Sequence, residues 1–391
     1  MRILLVTPYF APAWSFGGPV KVVHDLSKEL VSRGHQVTVI TTDVLSRGKR
    51  NEKRNDLIHG VEVIYFKNVS NYLAFHFNFY FPFSLKSWLS RNIKRYDIIH
   101  CHDVFNWLNV HVARKAMESQ IPFVVQPHAS LDKIRMNAGP RFIKFLFLKF
   151  YPYILSSAKA IITSNEHEKS VLFSRQVKQP EQKLFVVPNA VSEEQISKPH
   201  HSESFRARQG LQANEKVIIY FGRFQAIKGL DITIRALALL KGFPYKFILI
   251  GRDEGMLPRL TTLAAELGIR EKLIILEPLF RDKLVEYLSN ADLFVLNSKS
   301  EGKPLAIMDA CAAGLPVIIS PGCNMPEVGR YGAGIVLEDN TPQATASAIQ
   351  RFFSDEKLQM DMRIKCHELI KRQFNLRIIV DQYISIYKQC I

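Results

Sequence analysis

Residues 296–320 read LNSKSEGKPLAIMDACAAGLPVIIS, and this stretch indicates how the second half of the chain folds. Glu301 and Gly302 come just before Pro304, which fits the first position of a helix because its missing N–H is not needed there. The helical run that follows carries a second carboxylate, Asp309, and a glycine ends it before another apolar strand. Free N–H groups at the start of a helix bind anions. The pattern therefore predicts an anion site with one carboxylate beside it and another about two turns further along.

Such an arrangement suits a sugar nucleotide, because the two carboxylates could bind hydroxyl groups at two separate points. Taken alone, the spacing is a weak signal and favours a pair of solvated surface carboxylates. The rest of the chain has to decide between these two interpretations.

The composition indicates a soluble globular protein with two domains of similar size. The chain has 391 residues, of which 47% are hydrophobic and 23% charged, and this length exceeds one ordinary core. The first residues, MRILLVTPYF, are typical of a strand rather than a signal peptide, and no apolar run is long enough to span a bilayer. The five cysteines are scattered without metal-ligand spacing. We therefore expect a reduced, cytoplasmic setting.

The formal net charge of +16 calls for an anionic partner. Nucleic acid, an anionic membrane and phosphorylated ligands are the three classes to consider. The basic residues are spread along the chain, and no helix-turn-helix, zinc-finger or RNA-binding signature is present. We expect no nucleic acid partner and favour a peripheral membrane contact, with an inert basic surface as the alternative.

Short apolar runs alternate with amphipathic stretches in the first half of the chain. This pattern predicts buried parallel strands at residues 2–7, 36–41, 61–66, 97–102, 122–126, 159–163 and 183–187. The polar and basic residues 45–58 are expected to form a surface loop. The turn after the first strand ends in Gly17 and Gly18, which would let backbone amides approach a diphosphate. The GxGxxG fingerprint is absent, which argues against NAD or FAD.

Three further features of the first half have a functional and a structural interpretation. His128 follows a buried strand, so it points toward a ligand crevice or serves the core. Residues 71–83 (NYLAFHFNFYFPF) are core beneath a loop or an aromatic lip for a lipid-bearing or sugar acceptor. Residues 141–155 (RFIKFLFLKFYPYIL) lie on an anionic membrane surface or pack inside the domain.

A second alternating series follows a polar linker at residues 192–215. It predicts strands at 217–221, 246–250, 273–276, 293–296 and 317–320. We expect an N-terminal Rossmann-like domain over residues 1–195, a second one over 196–372 facing it across a cleft, and a C-terminal helix over 373–391. That helix could cross back onto the first domain or simply pack at the end of the second.

The first turn of the second domain is the candidate site for a diphosphate. Arg223 and Lys228 flank this turn, where a diphosphate would meet two positive charges and helix amides. Two solvated basic residues are the alternative, and the acidic helix motif in the same domain favours a site. Leu279, after the third strand of this series, is a candidate wall for a nucleobase on position alone.

Five segments together resemble the retaining nucleotide-sugar glycosyltransferases of family 4. They are Gly17-Gly18, PHASLD at 127–132, VPNAV at 187–191, FGRFQAIKG at 221–229 and SEGKPLAIMDACAAGLPVI at 300–318. The resemblance covers nearly the whole chain. It implies an α/β protein of GT-B architecture, in which two Rossmann-like domains with parallel sheets face each other across a deep cleft. The first domain then binds the acceptor and the second the nucleotide-sugar donor.

The resemblance also implies roles for individual residues. Arg223 and Lys228 would bind the donor diphosphate, Glu301 the donor sugar and Asp309 the ribose, while His128 would contact the donor sugar near the acceptor. The expected catalytic residues are His128, Arg223, Lys228 and Glu301. The expected donor-binding residues are Gly17, Gly18, Arg223, Lys228, Leu279, Glu301, Gly302, Lys303, Pro304, Leu305 and Asp309.

Three positions depart from the family pattern. Asp309 stands where glutamate is usual, which affects how directly the ribose is bound. Ala129 stands where glycine commonly follows the histidine. Lys303 stands where an apolar residue is more common, which would alter the choice of donor.

The expected reaction moves a hexose or N-acetylhexosamine from a UDP- or GDP-sugar to a glycan or lipid-linked acceptor, with retention of configuration. The chain contains no DxD triplet, so we expect no metal and no cofactor, with Arg223 and Lys228 in their place. Bacterial surface polysaccharide assembly at the inner face of the cytoplasmic membrane is the expected setting. The alternatives are a GT-B-fold epimerase, an inverting transferase and a non-catalytic nucleotide-sugar-binding subunit.

Overall fold

The computed structural model describes residues 1–46, 48–77, 79–131, 152–173, 181–196, 203–279 and 282–391. The chain divides into two compact units. The first unit combines residues 1–189 with residues 376–391, and the second unit is residues 190–375.

The first unit is an α/β structure built on one sheet. Its strands are β1 (Arg2–Val6), β2 (Gln36–Thr42), β3 (Asn55–Ile58), β4 (Val61–Phe66), β5 (Ile98–His102), β6 (Phe123–Gln126), β7 (Ala160–Thr163) and β8 (Leu184–Val186). Its helices up to residue 189 include α1 (Gly18–Ser32), α2 (Asn71–Phe77), α3 (Leu85–Asn92), α4 (Trp107–Glu118) and α5 (Glu166–Phe173). The strand order is β3-β4-β2-β1-β5-β6-β7-β8, and every pair is parallel except β3 with β4.

The second unit repeats this architecture. Its strands are β9 (Lys216–Phe221), β10 (Tyr245–Ile250), β11 (Leu273–Leu276), β12 (Leu293–Leu296), β13 (Val317–Ile319) and β14 (Gly334–Val336). Its helices include α6 (Glu203–Arg208), α7 (Leu230–Ala238), α8 (Leu257–Glu266), α9 (Asp282–Asn290), α10 (Leu305–Ala312), α11 (Glu327–Arg330), α12 (Pro342–Ser354) and α13 (Glu356–Gln373). The sheet is parallel throughout, in the order β11-β10-β9-β12-β13-β14.

The last helix, α14 (Leu376–Cys390), belongs to the first unit. Its tyrosines reach buried polar groups of that sheet: the Tyr387 hydroxyl lies 2.7 Å from Nδ1 of His100, and the Tyr383 hydroxyl donates to Gln126 at 3.1 Å. The second unit begins at Ala190, a few residues before the expected boundary at 195, because the Val191 N–H donates to the carbonyl of Phe374 at 2.8 Å.

Strands form where the apolar runs predict them, because parallel strands covered on both faces are almost entirely apolar. The prediction of a surface loop throughout residues 45–58 is wrong at its end. Residues 55–58 form β3, which pairs antiparallel with β4. An edge strand needs backbone pairing on one side only, and its side chains alternate between exposed and half-buried, so it leaves no apolar run to detect.

The aromatic segment 71–83 is partly buried and partly exposed, and its interpretation as a lip for an acceptor stays a prediction. Residues 71–77 form α2, and Tyr80 is buried against Val44 and Ala74. Tyr72 and Phe83 remain 59% and 53% exposed. Most of the basic amphipathic segment 141–155 lies outside the described residues.

The sheet order places a ligand crevice in each unit. β1 lies between β2 and β5, and β9 lies between β10 and β12, so connections leave the first strand of each sheet toward both sides. Ligands of open α/β sheets bind outside the carboxyl ends of the strands at such a switch point. The loops after β1 and β5, and after β9 and β12, are therefore the places to look.

Candidate functional site

In the second unit, the loops after β9 and β12 bring together two residues that lie far apart in the sequence. Lys228 ends the short 3-10 turn after β9, and Glu301 follows β12. The Lys228 ammonium lies 2.6 Å from the Glu301 carboxylate, and the Ser298 hydroxyl donates to the same oxygen at 2.7 Å. The two side chains are 17% and 5% exposed, so this is a sheltered, charge-assisted contact.

Main-chain contacts hold this pair in register. The Lys299 N–H donates to the carbonyl of Ile227 at 2.8 Å, and the Glu301 N–H donates to that of Gly322 at 2.8 Å. The Asn324 side chain donates to the carbonyl of Glu301 at 2.7 Å. The turn that carries Lys228 and the loop that carries Glu301 are thus joined by backbone as well as by charge.

Gly229 makes this approach of the two loops feasible. It has a φ of 63°, and a Cβ atom at this position would lie 2.0 Å from the carbonyl oxygen of Asn297. The Asn297 side chain is itself held below the site, where it contacts Thr233 at 2.7 Å and Thr345 at 2.8 Å. Any side chain at Gly229 would push β9 and β12 apart at the point where their loops meet.

Arg223 occupies the start of the same turn and contacts a different carboxylate. Its guanidinium lies 3.4 Å from Glu254, which also binds Arg252 at 2.6 Å and the amide of Gln225. Although burial raises the pKa of Glu254, the charge of Arg223 and these contacts lower it overall. The Tyr220 hydroxyl donates to the carbonyl of Arg223 at 2.9 Å and orients the turn from below.

The start of α10 differs by one residue from the prediction. Pro304 has an extended backbone, with φ −70° and ψ 117°, and precedes the first helical residue, Leu305. Because Pro304 has no N–H, Leu305 carries the first helical amide at this end of α10. Asp309 lies four residues after Leu305 and is partly exposed.

The side chain of Lys303 is buried in an ion pair. Its ammonium lies 2.8 Å from both carboxylate oxygens of Glu327 and 3.2 Å from the carbonyl of Asn324. It also lies 5.6 Å from the centre of the Phe374 ring. Burial lowers the pKa of Lys303, and the charge of Glu327 opposes that shift. Lys303 thereby ties the start of α10 to α11 and the loop before it.

Leu279 follows β11, the strand at the edge of the second sheet. It is partly buried and packs against the core of this unit. A wall for a nucleobase at this position stays a prediction.

In the first unit, Gly17 and Gly18 form the turn between the loop after β1 and helix α1. Gly17 has a φ of 80° and a ψ of −141°, which suits glycine, and Gly18 is the first residue of the helix. The N-terminal amides of α1 follow the loop after β1, and an approach of these amides to a diphosphate stays a prediction.

His128 lies in the loop after β6, where its ring and its backbone are both constrained. Its Nε2 atom lies 3.1 Å from Nδ1 of the buried His102, and the two rings stack with their centroids 5.3 Å apart. Burial lowers the pKa of His128 to about 4, and that of His102 well below its usual range. Both rings are therefore neutral near pH 7.

The structure adds residues that the sequence did not single out, above all Glu254, Glu327, Ser298, His102 and Glu168. His102 had a sequence signal, because it ends an apolar strand in the stretch DIIHCH. The others stand in loops or helices among many similar polar and charged residues, and only the fold assigns them a partner. Among the described residues, no group of three His, Cys, Asp or Glu side chains is placed to hold a metal ion.

The chain is similar to known glycosyltransferases in sequence and in fold. Residues 201–368 match the sequence model of the glycosyl transferases group 1, and residues 16–195 match that of glycosyltransferase family 4. An uncharacterised glycosyltransferase of Methanocaldococcus jannaschii is 26% identical, and the match covers 99% of this chain and 98% of the length of that protein. The N-acetyl-alpha-D-glucosaminyl L-malate synthase of Bacillus anthracis is 24% identical over 95% of this chain and 94% of its own. HepE of Anabaena, solved with UDP and glucose, superposes with a TM-score of 0.76 at 18% identity and 100% coverage of both chains.

Two α/β units with these structural neighbours define a GT-B architecture, and the two sequence models define a glycosyltransferase. The chain belongs to the group 1 glycosyltransferases of family 4. The family resemblance and the fold predicted from the motifs are thereby confirmed.

Proposed function

We propose that this enzyme transfers a hexose or N-acetylhexosamine from a UDP- or GDP-sugar to a glycan or lipid-linked acceptor, with retention of configuration and without a metal ion. The observation that carries the proposal is the sheltered pair of Lys228 and Glu301 between the loops after β9 and β12. It presents a cation and a carboxylate at the switch point of the second sheet. A diphosphate needs the first, and sugar hydroxyls need the second.

The chemistry that these residues supply is electrostatic. Glycosyl transfer passes through an oxocarbenium-like state while negative charge builds on the leaving phosphate. Arg223, Lys228 and the amides at the start of α10 would stabilise that charge from fixed positions, so little reorganisation is needed during the reaction. Asp309, further along α10, would bind the ribose and set the distance between nucleotide and sugar.

In this proposal the configuration is retained because the acceptor hydroxyl attacks the donor sugar on the same face from which the phosphate departs. Glu301 is not assigned as a nucleophile, because Lys228 and Ser298 both occupy its Oε1 atom. A carboxylate held in this way is suited to accept hydrogen bonds from the hydroxyl groups of the donor sugar. His128 would contact the donor sugar.

The names of the related proteins support the class of donor. HepE of Anabaena was solved with UDP and glucose, and the Bacillus anthracis relative is named for an N-acetyl-alpha-D-glucosaminyl product. We extend both to this chain as a proposal, with GDP-sugars as the second class of donor.

For the acceptor, we propose a glycan or lipid-linked substrate of bacterial surface polysaccharide assembly (lipopolysaccharide, O-antigen, capsule or exopolysaccharide), used at the inner face of the cytoplasmic membrane. The net charge of +16 and the exposed rings of Tyr72 and Phe83 support a peripheral contact with an anionic membrane. In the described part of the chain, no helix combines the length and apolarity that crossing a membrane requires. Sedimentation with phosphatidylglycerol vesicles but not phosphatidylcholine vesicles is expected, and equal recovery with both would contradict the contact.

Calorimetric titration with UDP and GDP tests the donor site. We expect one of them to bind equally well with Mg²⁺ and with EDTA, and Lys228→Ala to weaken binding by about 10- to 100-fold, since it removes a hydrogen bond to a charged group. Arg223→Ala, at a more exposed position, should act in the same direction. Lys241→Ala, an exposed lysine of the same unit, is the matched control.

A binding isotherm that collapses with EDTA would refute the metal-independent site. Binding of neither nucleotide would refute the UDP and GDP donors. The configuration at the anomeric carbon of the product, read by NMR, separates a retaining from an inverting enzyme. Turnover of the donor without transfer to any acceptor would point to an epimerase.

A further inference from the structure

The loop that carries His128 has an unusual backbone. His128 and Ala129 have φ angles of 54° and 59°, so two consecutive residues with a Cβ atom adopt the left-handed conformation. This conformation is unfavourable for residues other than glycine and persists only where surrounding contacts impose it. The structure therefore has to contain an element that holds these two residues.

Glu168, in the first turn of α5, supplies that contact. It is buried, and its Oε1 atom accepts a hydrogen bond from the Ala129 N–H at 2.5 Å. Its Oε2 atom accepts the N–H and the hydroxyl of Ser164, each at 2.8 Å. Hydrogen bonds to an ionised carboxylate are about twice as strong as those between neutral groups. One side chain thus ties the loop after β6 to the end of β7.

The position of Glu168 on its own helix is fixed as well. The Asn165 side chain accepts the Glu168 N–H at 2.7 Å, as a helix cap does. A carboxylate in the first turn is also favoured by the helix dipole. Glu168 is therefore a rigid support for the loop rather than a mobile surface side chain.

On the other side of the loop, His102 holds the ring of His128 through Nε2. Among the described residues, none hydrogen-bonds Nδ1 of His128, and the Nε2 atom of His102 is buried without a partner. The ring is thus held at one nitrogen, and the main chain beside it is held by Glu168.

We propose that Glu168 is a positioning residue for glycosyl transfer, which acts by clamping the left-handed turn at His128 and Ala129. The proposal rests on the proposed role of His128 at the donor sugar. Glu168 touches neither donor nor acceptor in this scheme. It keeps the His128 ring in one position, so that the loop does not have to change conformation before the ring contacts the transition state.

The variant Glu168→Gln tests the clamp, because it keeps the shape but replaces one accepting oxygen with an NH2 group. We expect amide exchange in a peptide covering residues 123–131 to become about tenfold faster. We expect kcat for release of the nucleoside diphosphate, UDP from UDP-sugars or GDP from GDP-sugars, to fall about tenfold, because small displacements of a catalytic contact have effects of this size. The affinity for the free nucleotide should stay unchanged, since Arg223 and Lys228 belong to the other unit.

A second variant separates positioning from simple packing. Adding Ala129→Gly to Glu168→Gln should restore much of kcat, because glycine adopts the left-handed conformation without a penalty. A merely structural contribution of Glu168 to α5 would not be rescued in this way. Glu166→Gln, an exposed glutamate in the same helical turn, is the matched control and should behave as the wild type.

Two results would overturn the proposal: unchanged exchange and kcat in Glu168→Gln, or no recovery when Ala129→Gly is added. A wild-type enzyme that releases nucleotide from no sugar donor would overturn the proposed function instead. The exchange measurement would still show whether Glu168 holds the turn, so the two failures are distinguishable.

Discussion

The buried ion pair between Lys303 and Glu327 predicts an asymmetric response to mutation. The Lys303 side chain is 4% exposed and that of Glu327 is 21% exposed. Removing Glu327 takes the paired carboxylate away from a buried ammonium, whereas removing Lys303 leaves a carboxylate that water can reach. We therefore expect Glu327→Ala to be the more destabilising of the two changes.

The magnitudes follow from the contacts. Breaking a buried pair costs about 3–5 kcal/mol when the remaining charge is fully buried. Partial exposure of the site reduces this, so we expect about 2–3 kcal/mol for Glu327→Ala. Lys303→Met should cost about 1 kcal/mol or less, because the methionine fills a similar volume near Phe374 and the carboxylate left behind is solvated.

The tryptophans provide an internal control for the assay. Trp14, Trp88 and Trp107 all lie in the first unit, so their fluorescence in urea should be unchanged by either substitution. Hydrogen exchange in peptides from α10 and α11 reports the second unit and should show the predicted order. Unfolding of the whole chain by far-UV circular dichroism then gives the free energies.

The same variants test what Lys303 does for the donor. Because its ammonium is directed to Glu327, Lys303→Met should change UDP affinity by less than about threefold, well under the effect of losing a charged hydrogen bond. Two results would refute the reasoning: Lys303→Met that destabilises as much as Glu327→Ala, or UDP binding lost in a stable Lys303→Met protein. The second would mean that the ammonium binds the donor directly.

Three further predictions concern other parts of the two units. Gly229→Ala should abolish UDP binding and lower the free energy of unfolding by more than about 2 kcal/mol, because backbone strain adds to a backbone clash. The control is Gly242→Ala, where φ is 72° and the space around the residue is open. It should cost only about 1 kcal/mol and leave UDP binding intact. The pKa of about 4 at His128 means that the unfolded chain binds more protons below pH 6.5. The free energy of unfolding should therefore be flat above pH 6.5 and fall by up to about 3 kcal/mol for this ring as the pH drops to 4. Urea midpoints of the wild type and of His128→Asn, measured between pH 4 and pH 7, test this. The same dependence of the midpoint on pH in both proteins would contradict it. Glu254→Gln should raise UDP affinity about two- to fivefold at low salt, because it releases Arg223 from its ion pair. A salt concentration of 0.5 M should remove this effect. A loss of UDP affinity would show that Glu254 supports Arg223 rather than competes with the nucleotide for it.

The local features of the fold could be predicted from the sequence with few errors. Apolar runs located the strands of both sheets apart from the edge strands β3 and β14, and the glycine–proline pattern located α1 and α10 to within a residue. These signals are local: a buried parallel strand needs an uninterrupted apolar run, and a turn with a positive φ favours glycine. The strand β3 was missed because its side chains alternate between exposed and half-buried, and β14 because it has only three residues.

By itself, the sequence determined the succession of two β/α series, the order of the motifs and the family. Each of these depends on residues that are close together in the sequence. Only the tertiary structure decided which charges meet. Lys228 finds Glu301 across 73 positions because β9 lies beside β12 in the sheet. In the same way, Lys303 pairs with Glu327 and Arg223 with Glu254. The turn at His128 is held by a hydrogen bond to Glu168. No local pattern encodes these partners, since a contact between distant residues depends on strand order and on how each loop leaves its strand.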